Sequence, residues 1–176
     1  MRASDISPEY PLLGFLAQSP AHGYELHKRL DEDLTGIWNL SQSQVYNILK
    51  RLENQGDINS EIKPGKSAPD KYLLSITKIG AQRFRRWLDE PTPGSVRAVR
   101  VEFLTRLFFA RRMQKEYALG LIKNQQRALK KDINRLQKDF NNIPQSLTLN
   151  RLSFQLRLRQ LQSCIDWIED IRNQLE

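Results

Sequence analysis

Residues 41–58 read SQSQVYNILKRLENQGDI. Val45, Ile48, Leu49 and Leu52 recur at the spacing of one buried helical face. The remaining positions carry Ser41, Gln42, Ser43, Gln44, Tyr46, Asn47, Lys50 and Arg51, with no acidic side chain before Glu53. A merely solvated face spreads Glu and Lys, whereas amides and hydroxyls suit recognition by hydrogen bonds. Gln and Asn can bond bidentately to adenine, and Ser and Tyr can reach bases or phosphates. Lys50 and Arg51 would supply phosphate contacts. Tyr46 has two open roles: to contact nucleic acid, or to cover a helix–helix junction with its ring and expose only its hydroxyl.

Bond-breaking chemistry has no comparable set of residues. No nucleophile–base constellation, phosphate-cradling glycine loop or metal quartet is visible, and His22 and His27 lack Cys or carboxylate companions for a metal site. The single cysteine, Cys164, excludes an intramolecular disulfide and sits among Leu161, Ile165 and Ile168, where it reads as a small buried hydrophobe. The sequence therefore predicts no enzyme, no cofactor and no metal. Trp38, Trp87 and Trp167 read as core aromatics, with Trp87 the best placed of them for a ligand.

The 176 residues carry a net charge of +8, with 39% apolar and 27% charged residues. Residues 1–90 hold 12 basic and 12 acidic groups, and residues 91–176 hold 16 and 8, so the excess lies in the second half. Residues 41–86 nevertheless hold 9 basic and 4 acidic groups, a local +5 around the polar helix. No apolar run approaches the roughly 20 residues of a membrane span, and no signal peptide is read, so the expected setting is the cytoplasm.

The elements that must position the polar helix follow from period and punctuation. YPLLGFLAQSP is a short apolar helix ended at Ser19-Pro20, and HGYELHKRLDEDL is a second, stopped by Gly36. Ser41 and Gln44 make a Ser-x-x-Gln capping box for the third, and Gly56 stands where a left-handed turn would end it. Ile58, Ser60 and Ile62 alternate, as do Tyr72, Leu74 and Ile76, around KPGKSAPD, which predicts a β-hairpin. Its Lys63, Lys66 and Lys71 would meet phosphate. Thr77 caps a fourth helix, and PTPG at 91–94 is the best domain boundary.

Beyond it the chain reads as helix. VRVEFLTRLFFARRM forms one, with Phe103, Leu107 and Met113 among its apolar positions. Leu119, Ile122, Gln126, Leu129, Ile133, Leu136 and Phe140 form a second seam; Phe154, Leu158, Leu161, Ile165 and Ile168, continuing to Leu175, form a third. One seam can pack against its own hairpin partner, and two seams plus a further helix suggest a second chain. Gln126 could fix dimer register or sit at a wet edge. Lys123, Arg127, Lys130 and Lys131 read as a solvated exterior.

Helix, helix, polar helix, hairpin, helix is the order of a winged helix-turn-helix. PLLGFLAQSPAHGYELHKRL, SQSQVYNILKRLENQGDI and SITKIG together resemble the PadR family of transcriptional regulators over residues 10 to about 90. The resemblance implies operator binding, usually repression, often relieved by a small molecule, with C-terminal helices completing a dimer. Two departures stand out. Gln42-Ser43-Gln44 replaces the family's common Pro-Gly or Gly-Ser/Thr, so no operator carries over. Leu74 stands where an aromatic is common, with Tyr72 two residues earlier.

The fold expected is mainly α with a small β-hairpin: a winged helix-turn-helix domain at 1–90 and an all-helical, coiled-coil-like dimerisation domain at 95–176. The expected partners are double-stranded DNA and a second copy through Phe154, Leu158, Leu161, Ile165 and Ile168, with a small-molecule effector of unknown identity as a further candidate. One alternative is a winged helix that binds an acidic protein partner. RNA is disfavoured because no aromatic stacking platform is visible.

Overall fold

The computed structural model describes residues 6–63 and 71–175, with backbone only for Lys63 and Lys71. The chain forms two compact units, Ile6–Glu90 and Pro91–Glu176.

The first unit runs α1 (Glu9–Gln18), β1 (Ala21–His22), α2 (Gly23–Asp33), α3 (Gln42–Asn54), β2 (Ile58–Lys63), β3 (Lys71–Ile76) and α4 (Lys78–Asp89). Pro11, Leu12, Leu13, Gly14, Phe15 and Leu16 are consecutive and all buried. A helix apolar all round belongs at the centre of a core, and α1 is that helix here. Leu26 and Leu30 of α2, Val45, Leu49 and Leu52 of α3, and Phe84, Trp87 and Leu88 of α4 close around it. Trp87 stacks on Tyr10 with ring centroids 4.5 Å apart, so it serves this core.

The hairpin is present, with Ile58 opposite Ile76 and Ser60 opposite Leu74. Leu74 is buried and Tyr72 is exposed, which fixes the wing register left open by the missing aromatic. A third strand, β1, pairs Ala21 with Leu74 and gives the order β1-β3-β2. Two residues are too few to show alternation, so β1 has no sequence signal.

Gly56 has φ +74° and ends α3 in the left-handed turn that favours glycine. Gly80 has a different cause. A Cβ there would strike the carbonyl oxygen of Asp57, because α4 starts hard against that peptide. Thr77 fixes the approach. Its N–H donates to the Asp57 carbonyl at 2.9 Å, its Oγ1 donates to the Gly56 carbonyl at 2.7 Å, and Gly80 N–H donates to that Oγ1 at 3.1 Å. The Thr-x-x-Gly spacing is thus one joint between the end of α3 and the start of α4.

The second unit comprises α5 (Val96–Ala98), a π-helical turn at Val99–Phe103, α6 (Leu104–Met113), α7 (Lys115–Asn141) and α8 (Thr148–Leu175). The single helix expected from 99 to 113 therefore starts earlier and contains a π turn. Phe103 and Leu107 are buried, whereas Met113 is exposed. Val99, Phe103, Leu107, Ile122, Leu129, Leu136, Leu161, Ile165 and Ile168 share one core. The Arg151 guanidinium lies 4.4 Å from the Phe140 ring, and Gln126 donates to Glu169, so α7 and α8 run antiparallel as a hairpin. Gln126 is buried and bonded within its own chain. No described helix is long and apolar enough to cross a membrane.

Residues 91–95 are held against α7 by polar bonds that no periodicity announces. The buried Gln125 amide accepts from Thr92 N–H at 2.7 Å and donates to the Thr92 carbonyl at 2.8 Å, as a neighbouring strand would. Gly94 N–H donates to Asp132 at 3.0 Å, and a Cβ at Gly94 would collide with that carboxylate.

Candidate nucleic-acid interface

The polar face of α3 is built by its cap and its buried side. Ser41 Oγ accepts from Gln44 N–H at 3.3 Å, and Gln44 Oε1 accepts from Ser41 N–H at 2.8 Å, completing the capping box. Val45, Ile48, Leu49 and Leu52 are buried and fix the rotation of the helix. Ser41, Gln42, Ser43, Gln44, Tyr46, Asn47, Lys50 and Arg51 are then all exposed. Ser43, Asn47 and Lys50, at i, i+4 and i+7, lie along one stripe.

The cap constrains what Gln44 can offer. Its carbonyl oxygen is committed to the Ser41 N–H, which leaves the amide NH2 to project outward. Bidentate pairing with adenine uses both ends of an amide; Gln44 enters it with one of its two oxygen lone pairs already engaged by the cap, which Gln42 and Asn47 do not.

Tyr46 is 47% exposed, and its ring lies over the start of α2. A Cβ on Gly23 would come within 2.8 Å of Tyr46 Cε1. Gly23 therefore lacks a side chain so that this ring can cover the junction, and the ring still leaves a polar edge in solvent. The α2 N-terminus is tied down on both sides. Glu25 Oε2 accepts from His22 N–H at 2.8 Å, and His22 Nδ1 donates to the Tyr72 carbonyl at 2.8 Å. The His22 backbone N–H holds the Glu25 carboxyl below its ordinary range against the opposing pull of partial burial. His27 Nε2 donates to the Leu40 carbonyl at 2.9 Å and holds the turn before α3. Both histidines are thus structural ties.

Arg51 differs from Lys50. Its Nε donates to Glu9 at 2.6 Å, while Glu9 and Asp57, both buried, also bind Arg83. Burial lowers the pKa of Arg83, but the Asp57 and Glu9 carboxylates outweigh that and raise it overall. Arg51 is accordingly part of an internal ion cluster that locks α1, α3 and α4 together. The sequence offered no signal for it, because lone Glu and Asp residues look like surface. Of the wing lysines, Lys66 lies outside the described residues, as do the side chains of Lys63 and Lys71. Between α3, the start of α2 and the hairpin lies an open cleft of about 680 Å³, with Tyr24, Tyr46, Asn47, Lys50 and Tyr72 on its walls.

Among the residues expected at a dimer seam, Leu161, Ile165 and Ile168 lie in the interior of their own chain, with Phe154 and Leu158 packed against the same core. A different face of α8 is uncovered: Leu149, Leu152 and Leu156 are 79%, 54% and 59% exposed.

Comparison with known proteins agrees with this architecture. The transcriptional regulator PadR-like family matches residues 12–86, and the virulence activator alpha C-terminal family matches residues 99–176. The negative transcriptional regulator PadR of Bacillus subtilis is 26% identical over 137 residues, covering 77% of this chain and 74% of that protein. A probable transcriptional regulator of Mycobacterium tuberculosis, Rv1176c, is 28% identical over 82 residues, covering 47% of this chain and 43% of that protein. Bacillus subtilis PadR in complex with operator DNA aligns at a TM-score of 0.46 with 23% identity, over 96% of this chain and 98% of that one. With capped polar helix, wing and glycine-dependent joints in place over the matched residues, residues 12–86 form a domain of the PadR-like family of transcriptional regulators.

Proposed function

We propose that this regulator is a cytoplasmic homodimeric repressor that binds a palindromic operator and responds to a small-molecule effector. The observation that carries the DNA reading is the uncovered stripe of Ser43, Asn47 and Lys50, about 10 Å long and held rigidly by the buried side of α3. The N-terminal part of such a helix approaches base edges in helix-turn-helix proteins. In this reading Gln42 and Asn47 read bases, and Ser41, Ser43, Gln44 and Tyr46 bond to bases or backbone. Lys50, Lys63, Lys66 and Lys71 meet phosphate. Arg51 holds the helix in place through Glu9 and leaves the rest of its guanidinium for the DNA backbone.

Repression is supported by the Bacillus subtilis relative, a negative regulator matched over most of its length. Dimerisation is supported by the leucine stripe of α8, since exposed apolar residues at helical spacing favour burial against a partner. Phe154, Leu158, Leu161, Ile165 and Ile168 support that interface from behind by holding α8 on its own core.

Operator selection from a random duplex pool tests the reading. Wild type should recover a palindrome, and Asn47→Ala should lose about 1–3 kcal/mol on that palindrome with far less effect on random DNA. Its melting temperature should stay put, because Asn47 is exposed. Failure of wild type to enrich any duplex would favour the protein-interaction alternative.

A further inference from the structure

We propose that the outer face of α7 is a second contact for nucleic acid, one that holds the phosphate backbone of duplex DNA without reading sequence. It deepens the DNA reading above and rests on it only for the class of partner. Lys123, Arg127, Lys130, Lys131 and Lys138 are all exposed. At about 100° per residue they fall within one sector of the helix, roughly 100° wide, and at a rise of about 1.5 Å per residue they span about 22 Å.

Three observations set this face apart from an ordinary solvated one. The first is sign. Between Tyr117 and Asn141 the acidic residues are Asp132 and Asp139, and both lie round the helix from the cations. Asp132 accepts from Gly94 N–H and from Arg135 instead. The amides Asn134, Gln137 and Asn141 complete the sector, giving the same mixture of cations and amides that marks α3. The second is the lack of compensation. Among the described residues no carboxylate pairs with any of the five cations, so their fields add. The third is shape. Lys123, Arg127 and Lys130 line an open groove of about 500 Å³ together with Arg172 of α8. Glu169, the carboxylate to which Gln126 of this lining donates, pairs with Arg172 at 3.1 Å. Gly120, also in the lining, has no atom within 4 Å of where a Cβ would stand, so the groove stays clear there.

The occupant follows from charge and length. Cations repeating along a rod of about 22 Å match a partner whose negative charges also repeat, and one strand of duplex DNA carries a phosphate about every 3.4 Å. A small anion would fill the groove and leave Lys131 and Lys138 without a counter-charge. A membrane surface is a poorer match, because an interfacial helix sinks its apolar side into lipid. In α7 that side, with Ile122, Leu129 and Leu136, is buried in the unit's own core. A lysine ammonium is a point charge that meets phosphate in any register, so the contact carries no sequence preference.

Binding of the full chain to a random-sequence duplex and to its selected palindrome, measured over a range of salt, tests the assignment. Lys123→Gln, Lys130→Gln and Lys131→Gln combined should lower the slope of log affinity against log salt by about two to three on both duplexes, at about 0.9 per lost phosphate contact. The ratio of palindrome to random affinity should not move, nor should the melting temperature, since the three side chains are exposed. Arginine at the same three positions should keep the wild-type slope, and Lys130→Gln alone should lower it by about one. The proposal is overturned if the triple glutamine variant keeps the wild-type slope, or if it loses affinity for the palindrome alone. It is also overturned if these lysines govern binding to phosphatidylserine vesicles, or to polyglutamate as a probe for an acidic protein, while duplex binding stays intact. Asn47→Ala should change the palindrome-to-random ratio and leave the random-duplex slope alone. The random-duplex measurement needs no palindrome, so loss of operator reading and loss of the α7 contact leave different signatures.

Discussion

Helices α3 and α8 are both amphipathic, yet their uncovered faces differ in kind. The outer side of α3 carries Gln42, Ser43, Asn47 and Lys50, whereas the outer side of α8 carries Leu149, Leu152 and Leu156. The first face is at ease in water, and in the proposed reading it exchanges that water for base edges. The second is not at ease in water and gains simply by being covered. Selectivity in the two faces therefore has different origins: donor and acceptor placement in α3, and apolar area with shape in α8.

The largest effect should come from charging the two sides of α8 in turn. Leu161 is 1% exposed inside its own unit. A carboxylate at Leu161→Asp would be buried without a partner, costing several kcal/mol, on the order of a domain's whole stability. Circular dichroism should show loss of the helical unit. Leu152→Asp places the same charge on the outer face, so the helical signal should survive while sedimentation shifts from dimer to monomer. A Leu152→Asp protein that still sediments as a dimer would remove this face from the interface.

A smaller effect separates two glycines that look alike in sequence. Gly56 needs its positive φ but has open space around it, so Gly56→Ala should cost about 1–2 kcal/mol. Gly80 has ordinary backbone angles but no room, because the Asp57 peptide occupies the place of a Cβ. Gly80→Ala must push α4 off the end of α3, and overpacking of this kind costs about 1–3 kcal/mol. Chemical denaturation should rank Gly80→Ala as the less stable, with DNA affinity also reduced because α3 is displaced. Equal stability for the two variants would mean that the α3–α4 joint yields easily.

The same contrast governs how much was legible in the sequence. In the first unit the helices, the Ser41–Gln44 box, the Gly56 turn and the hairpin were readable, since each is a local rule satisfied by neighbouring residues. The Glu9–Asp57–Arg83 cluster and the clash behind Gly80 were not, because their partners lie far apart in the chain. In the second unit the apolar spacing of α7 and α8 was plain, but spacing cannot say which chain covers a seam. Leu161, Ile165 and Ile168 satisfy a dimer seam and an internal core equally well, and the structure places them in the core. The leucines at 149, 152 and 156 belong to the opposite face of the same helix. The π turn and the Gln125–Thr92 clamp left no trace in periodicity.

The smallest effect isolates cap from contact at a single residue of α3. Gln44 Oε1 closes the box on Ser41 N–H, and its amide NH2 faces outward. Gln44→Ala removes both roles, so stability should fall by about 0.5–1 kcal/mol together with a modest loss of DNA affinity. Gln44→Glu divides them. A carboxylate still accepts from Ser41 N–H and sits favourably at a helix N-terminus, so the melting temperature should equal or exceed that of wild type. The same carboxylate has no donor and repels phosphate, so operator affinity should drop further than in Gln44→Ala. The drop should lessen as pH approaches the carboxylate range and the side chain regains a proton. Because the charge acts on any duplex, random DNA should weaken in parallel. A Gln44→Glu protein that is stable and binds DNA as tightly as wild type at neutral pH would place the N-terminal turn of α3 away from the nucleic acid.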